Sequence, residues 1–172
     1  LNFDTSFVFE KDLRIAGIPK DSAGTAVTEY SLHFFPEGGD LVSGIENNVA
    51  FKASDAYGAP VKISGILHDA SGKNLLEFAS THDGMGKFMI SPAKTDVLYA
   101  TWEDEKGLEH RTDLPAVKSS GIVLRVMNNH GKLVFSVARQ PENTAYQKLV
   151  VMAHMNQQMG YKDTVNLKEN FM

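Results

Sequence analysis

Several groups of residues in this sequence have types and spacings that chemistry uses. Ser91-Pro92-Ala93-Lys94 matches the SxxK pattern of penicillin-recognising hydrolases, in which a serine opens a helix so that the lysine returns beside it one turn later. Here Phe88-Met89-Ile90 leads in as a strand, and Pro92 with Lys94-Thr95-Asp96 reads as a turn. The companion SDN and KTG motifs are missing, so the match is accidental. Glycine-lysine pairs at 72–73, 86–87 and 131–132 lack the earlier glycine and the following serine or threonine that let a loop point backbone N–H groups at a phosphate. Gly84-Met85-Gly86 lacks the third glycine of a dinucleotide fingerprint and opens a strand, where that fingerprint opens a helix.

The six histidines, at 33, 68, 82, 110, 130 and 154, stand singly, with no HxH, HxxxH or HExxH spacing to place two on one face of one element. A metal site would have to be assembled from separate strands. Glu103-Asp104-Glu105 is the densest acidic run, and with Lys106-Gly107 it reads as a hairpin tip, a place where sandwich proteins hold calcium. A solvated turn is the plainer reading. Phe35, Tyr57 and Trp102 are the aromatics that would line a sugar platform, although Trp102 reads as a core residue between sheets. No catalytic residue, no cofactor-binding residue and no metal ligand is assigned, and no cofactor is expected.

Composition narrows the partners. The 172 residues carry 17 lysines and arginines against 21 aspartates and glutamates, a formal charge of −4, with no concentrated cationic stripe to neutralise phosphates. A nucleic-acid partner is therefore not expected. No apolar run approaches the roughly 20 residues of a membrane span. There is no cysteine, which removes thiol catalysis, disulfides, cysteine-ligated zinc and a cysteine–glutamine thioester. The chain begins at Leu1 with neither an initiator methionine nor a leader, as expected of a mature product or an excised piece of a longer chain.

The elements that must position these residues are strands. Period-two alternation predicts Val49, Phe51 and Ala53 inward and Ala50, Lys52 and Ser54 outward; Val61, Ile63 and Leu67 form the next inward set. Leu76 and Phe78, Phe88 and Ile90, then Leu98, Ala100 and Trp102 continue it. DAYGAP, ASGK and EDEKG supply reversing turns. Short strands with turns at this spacing between Tyr30 and Pro115 predict an antiparallel, immunoglobulin-like β-sandwich. FFPEGGD at its head reads as a corner: Pro36 confines the first strand to an edge or ends it, and Gly38-Gly39 turn the chain.

LPAVKSS, Leu114 to Ser120, looks like a junction. After it the alternation resumes at Ile122, Leu124 and Val126, then Leu133, Phe135 and Val137, then Leu149, Val151, Ala153 and Met155, and lastly Val165 and Leu167, with turns at NNHGK, RQPENTA and QQMGY. The expected organisation is an N-terminal stretch of strands or linker at 1–28, a sandwich at 29–115, and a second, incomplete sandwich at 116–172. An open apolar edge invites pairing, so part of residues 1–28 is expected to pair with the C-terminal unit.

FFPEGGDLVSGIENNVAFKASDAYGAPVKISGILHDASG, THDGMGKFMISPA and DVLYATW, within residues 31–114, together resemble a macroglobulin-like domain of large bacterial envelope proteins. The domain is of the MG2 type found in α2-macroglobulin-like chains, near carboxypeptidase-regulatory-like or TonB-receptor plug modules. GIVLRVMNN and KLVVMAHMNQQMGY are similar to the module that follows it. The resemblance implies tandem immunoglobulin-like sandwiches used for spacing or recognition, in the periplasm or at the cell surface, without activity of their own. It also implies partners among other modules of the same longer polypeptide or among envelope proteins. Protease trapping does not carry over, because the chain has no cysteine to form the thioester. The alternative function is a carbohydrate- or glycan-binding sandwich, since one fold hosts both.

Overall fold

The computed structural model describes residues 29–94, 96–140 and 147–167. Among these, regular structure is all β. In chain order the strands are β1 Tyr30–Pro36, β2 Leu41–Val42, β3 Asn47–Asp55, β4 Ser64–His68, β5 Asn74–Ala79, β6 Met85–Ile90, β7 Tyr99–Glu103, β8 Glu109–Asp113, β9 Val117–Lys118, β10 Ile122–Asn129, β11 Lys132–Arg139, β12 Lys148–Met155 and β13 Gln158–Asn166. Strands β1, β3 and β6 form one antiparallel sheet in that order, and β5, β4, β7 and β8 form the other. The chain changes sheet between β3 and β4, between β5 and β6, and between β6 and β7, which makes the immunoglobulin-like sandwich that the alternation predicts.

The core lies where alternate side chains of the two sheets meet. Val49, Phe51 and Ala53 from β3 face Leu67, Phe78, Ala100 and Trp102, and all are buried. Four phenylalanines, Phe34, Phe51, Phe78 and Phe88, pack as one cluster with centroids 5.0 to 6.5 Å apart, mostly edge to face, the arrangement that aromatic quadrupoles favour. Phe51 is its centre, and Gly86, its partner on β6, leaves the space a Cβ would take from the Phe51 ring. Trp102, only 2% exposed, belongs to this core and so to no sugar platform. Its Nε1 donates to Thr112 Oγ1 at 3.0 Å, which satisfies the polar end of a buried indole.

FFPEGGD forms the corner expected of it. Leu32 and Phe34 point inward, Phe35 outward, β1 is an edge strand, and Gly38 and Gly39 both take φ of +97°. Two features differ from the alternation reading. LPAVKSS is more than a junction, because its Val117-Lys118 pairs parallel with Leu41-Val42, a pairing between short segments far apart in sequence. The last turn closes at Asn156-Gln157, so that only the first residue of QQMGY turns and Gln158–Tyr161 belong to β13, because both turn residues adopt positive φ and make a two-residue hairpin there.

Beyond the sandwich are two separate two-stranded hairpins, β10–β11 and β12–β13. By strand parity, Leu124, Val126, Phe135 and Val137 share one face of the first, and Leu149, Val151, Ala153, Tyr161 and Val165 share one face of the second. The rings of Phe135 and Tyr161 meet at 6.0 Å, and Arg139 Nη2 donates to Leu167 O at 2.7 Å. The expected pairing of residues 1–28 with this unit lies outside the described residues.

Truncating Phe51 leaves a cavity that neighbours on both sheets cannot collapse to fill. Phe51→Ala is expected to lower the unfolding free energy by roughly 3–5 kcal/mol, measured by chemical denaturation.

Candidate inter-module interface

The polar side chains that do the most in this molecule gather where the sandwich meets β10, around β2. Asn47 is fully buried at the start of β3, on the inward parity of Val49 and Phe51. Its Oδ1 accepts the N–H of Val42 at 2.9 Å, and its Nδ2 donates to the carbonyls of Val42 at 2.9 Å and Ile45 at 2.8 Å. One side-chain amide thus serves both polar groups of a buried peptide, as a neighbouring strand would. β2 is held in place on its other side by β9, and Ser43 N donates to Lys118 O at 2.9 Å.

The linkage to β10 and β11 is built on that fixed segment. Gln140, just past β11 and buried, donates through Nε2 to Ser43 O at 2.7 Å and Ser119 O at 3.0 Å. Glu37, the acid of FFPEGGD, accepts Asn48 Nδ2 on one carboxylate oxygen and the backbone N–H of Val126 on the other, each at 2.8 Å. Arg125 Nη2 reaches Glu46 Oε2 at 2.9 Å. Val123 is buried, and Gly121 lies so close to Val42 that a Cβ there would stand 2.8 Å from a Val42 methyl. Gly38 packs its backbone on β10: a Cβ there would lie 2.9 Å from Leu124 N. Glu37 also occupies an outward N–H on an edge that would otherwise offer itself for strand pairing.

The sequence candidates for chemistry are dispersed by the fold. Ser91 precedes, and Lys94 lies within, a turn in which Ala93 N donates to Asp96 Oδ2 at 2.6 Å and Asp96 N to Ala93 O at 3.1 Å, with no helix to unite them. The acidic run is divided three ways. Glu103 ends β7, Asp104 turns inward, and Glu105 Oε1 accepts Lys62 N at 3.1 Å. Among the described residues no three histidines, aspartates or glutamates come together as a metal would need. Phe35 and Tyr57 are exposed, while Trp102 is interior. Of the histidines, His68 stacks on Tyr99 at 4.9 Å and bonds Thr101 Oγ1 through Nε2 at 2.8 Å, His82 pairs with Asp83 at 3.1 Å on the surface, and His130 takes a positive φ at a hairpin turn. His33 lies 6.5 Å from Phe35, and His154 stands on β12.

Asp104 and His110 are the pair that sequence spacing could not connect. Asp104 Oδ1 accepts the N–H groups of Lys106 at 2.8 Å and Leu108 at 3.1 Å, and Oδ2 meets His110 Nε2 at 2.9 Å. His110 stacks on Trp102 at 4.3 Å and meets Tyr30 edge-on at 5.9 Å. Burial by itself would raise the carboxyl; the hydrogen bonds from His110, Leu108 and Lys106 more than offset it and hold the Asp104 pKa below the ordinary 3.8. The pair clamps the β7–β8 turn to the core.

The outer face of the four-stranded sheet carries a shallow cleft of about 530 Å³, bordered by Ser64, Ile66, Glu77, Thr101, Glu103 and Glu109. Beside it Arg111 lies 3.7 Å over the Tyr99 ring.

The chain matches no protein-family model and no curated protein. Among solved structures it is similar to the β-glucuronidase of Ruminococcus gnavus. In the complex with uronic isofagomine the identity is 14% over 63% of this chain and 17% of that one, with a TM-score of 0.38. In the complex with D-glucuronic acid it is 14% over 63% and 18%, with a TM-score of 0.36. The chain therefore spans less than a fifth of those enzymes, and a likeness this distant says nothing about activity.

Two tests address these sites. Because Asp104 titrates lower in the folded chain than in the unfolded one, its contribution is present above the ordinary carboxylate range and is lost as pH falls through the lowered value, below 3.8. Asp104→Asn is therefore expected to be less stable than the parent chain near neutrality, with the gap closing in acid, as read from denaturation curves across pH. At the interface, Gly38→Ala combines a disfavoured φ of +97° with the close approach to Leu124 N. It is expected to raise amide exchange at Leu124 and Val126 while leaving exchange in β3 and β4 unchanged.

Proposed function

We propose that this chain is a non-catalytic structural and recognition module of an extracytoplasmic, cell-envelope protein, with the sandwich as a macroglobulin-like, MG2-type domain and residues 116–172 as half of a second sandwich. The observation that carries this reading is the interface itself. Glu37 and Gln140 spend backbone-directed hydrogen bonds on coupling the sandwich to the next hairpin, through a β2 segment that the buried Asn47 amide holds in place, as expected of a module whose task is to set the geometry between neighbours. The resemblance of FFPEGGD and GMGKFMISP to envelope macroglobulin-like domains supports the same reading. The apolar sides of the two hairpins, which meet at Phe135 and Tyr161, are consistent with a sandwich begun there. The partners on this reading are further modules of the same polypeptide or other envelope proteins, at the periplasmic or outer surface.

A second reading, glycan binding, draws on the cleft of the four-stranded sheet, where Ser64, Glu77, Thr101, Glu103 and Glu109 offer groups that bond hydroxyls. Its aromatic lining, Phe78 and Trp102, is buried in the core, so it lacks the exposed stacking face that sugar platforms use.

The test is nuclear relaxation of the intact chain. Amides of β3, β4 and β7 and those of Ile122–Leu124 are expected to report one rotational correlation time. Two distinct times would overturn the coupling role. A specific turnover of a peptide, ester or glycoside, abolished by one substitution, would overturn the non-catalytic reading, and a saturable glycan ligand shifting Ser64 and Thr101 would favour the second.

A further inference from the structure

The β12–β13 hairpin brings together soft ligands that lie apart in sequence. Its turn passes through Asn156 and Gln157, at φ of 49° and 64°, and this sets a register in which His154 stands directly opposite Met159. Between the Ala153–Tyr161 and His154–Met159 pairs the register shifts by one residue at Gly160, a bulge on β13; β12 carries no inserted residue, and its alternation puts Met152 on the same face as His154. The neighbouring pair, Ala153 and Tyr161, occupies the other face, where the Tyr161 ring meets Phe135. Met152, His154 and Met159 therefore point away from the first hairpin, into solvent. Met152 is 56% exposed and Met159 55%, and His154 is exposed as well.

Side chains directly opposite on an antiparallel pair have Cβ atoms about 4.5–5.5 Å apart, and a residue two positions along the same strand stands about 6.6 Å away. An imidazole and two flexible thioethers at those separations can converge on one ion. Thioether and imidazole donors without a carboxylate or thiolate select a soft cation of the Cu(I) class over calcium, magnesium or zinc. Lys162, opposite Met152, adds a positive charge that opposes a divalent ion more than a monovalent one. We propose that this hairpin face is a binding site for a soft monovalent metal ion, Cu(I) or its analogue Ag(I), with His154, Met152 and Met159 as ligands.

The probe is silver nitrate, whose ion is not oxidised by air as Cu(I) is, added in the dark in chloride-free buffer to the full chain carrying ¹³C-labelled methionine methyls. Saturation at one ion per chain is expected, with shifts at the Met152 and Met159 methyls and the His154 ring, and none at Met85, Met89 or Met127. The Met152→Leu, Met159→Leu double variant keeps side-chain volume at exposed positions, and its amide spectrum verifies the fold; it is expected to lose these shifts. His154→Ala is expected to weaken binding by at least the roughly 10–100-fold that loss of a supporting residue costs. The proposal is overturned by no shift at one equivalent, by shifts spread evenly over the exposed methionines, by unchanged binding in the double variant, or by zinc binding the same face as tightly.

Discussion

Asn47 carries an uncharged amide into a position that the strand pattern reserves for an apolar side chain, and the arrangement around β2 depends on it. A two-residue strand has too few ladder bonds to hold itself. Buried peptide groups without partners are costly, so Val42 would be expelled toward water unless something served both its N–H and its C=O. The Asn47 amide does so at 2.9 Å on each side. With Val42 anchored, Val117-Lys118 has a template for parallel pairing, Ser43 presents its carbonyl to Gln140, and Gly121 fits against the Val42 methyls. The path from the sandwich core to β10 is a sequence of satisfied backbone groups. It does not rely on surface ion pairs such as Asp40–Lys118, which are worth little on their own.

The residues with chemical potential mostly spend it on structure. Asp104 has a buried carboxylate, a histidine partner and a lowered pKa, the ingredients of a catalytic acid–base pair. Each oxygen, however, is engaged in closing its own turn or in orienting His110 against Trp102. The same holds on the outer sheet face, where Tyr99 lies between the His68 ring and the Arg111 guanidinium. That row uses stacking and cation–π attraction to knit β4, β7 and β8.

Period-two alternation made the sandwich legible. Val49, Phe51, Ala53, Leu67, Ala100 and Trp102 were identifiable as core because every second side chain of a pleated strand must share a face, whatever the neighbouring strand is. FFPEGGD was legible as a corner because proline and glycine restrict or free φ regardless of context. The interface was less so. Asn47 did carry a signal, a polar residue on the inward parity, and Gln140 sat in a stretch that reads simply as a turn. Nothing local connects either to β2, because their partners are backbone groups, which look the same in every sequence.

The His154, Met152 and Met159 grouping marks the same boundary at the other end of the chain. The strand character of β12 and of the end of β13 follows from sequence; that β13 begins at Gln158, within the stretch read as a turn, and which residue stands opposite which, follow from where the turn closes. A shift of one position in that turn would pair His154 differently and send its face elsewhere. The sequence by itself thus determined the β character of the described residues, the inward side chains of the sandwich and its main corner, since those arise from single-residue stereochemistry and nearest-neighbour periodicity; past the sandwich, Leu133 and Met155 of the expected inward set are exposed and Val123, off that parity, is buried. Only the tertiary structure decided the parallel β2–β9 pair, the division of Glu103-Asp104-Glu105 and the coupling through Asn47, Glu37 and Gln140. The β2–β9 pair and the Glu37 and Gln140 bonds depend on backbone groups from distant segments meeting at hydrogen-bond distance, and the Asn47 and Asp104 contacts on which way a side chain turns within its own loop.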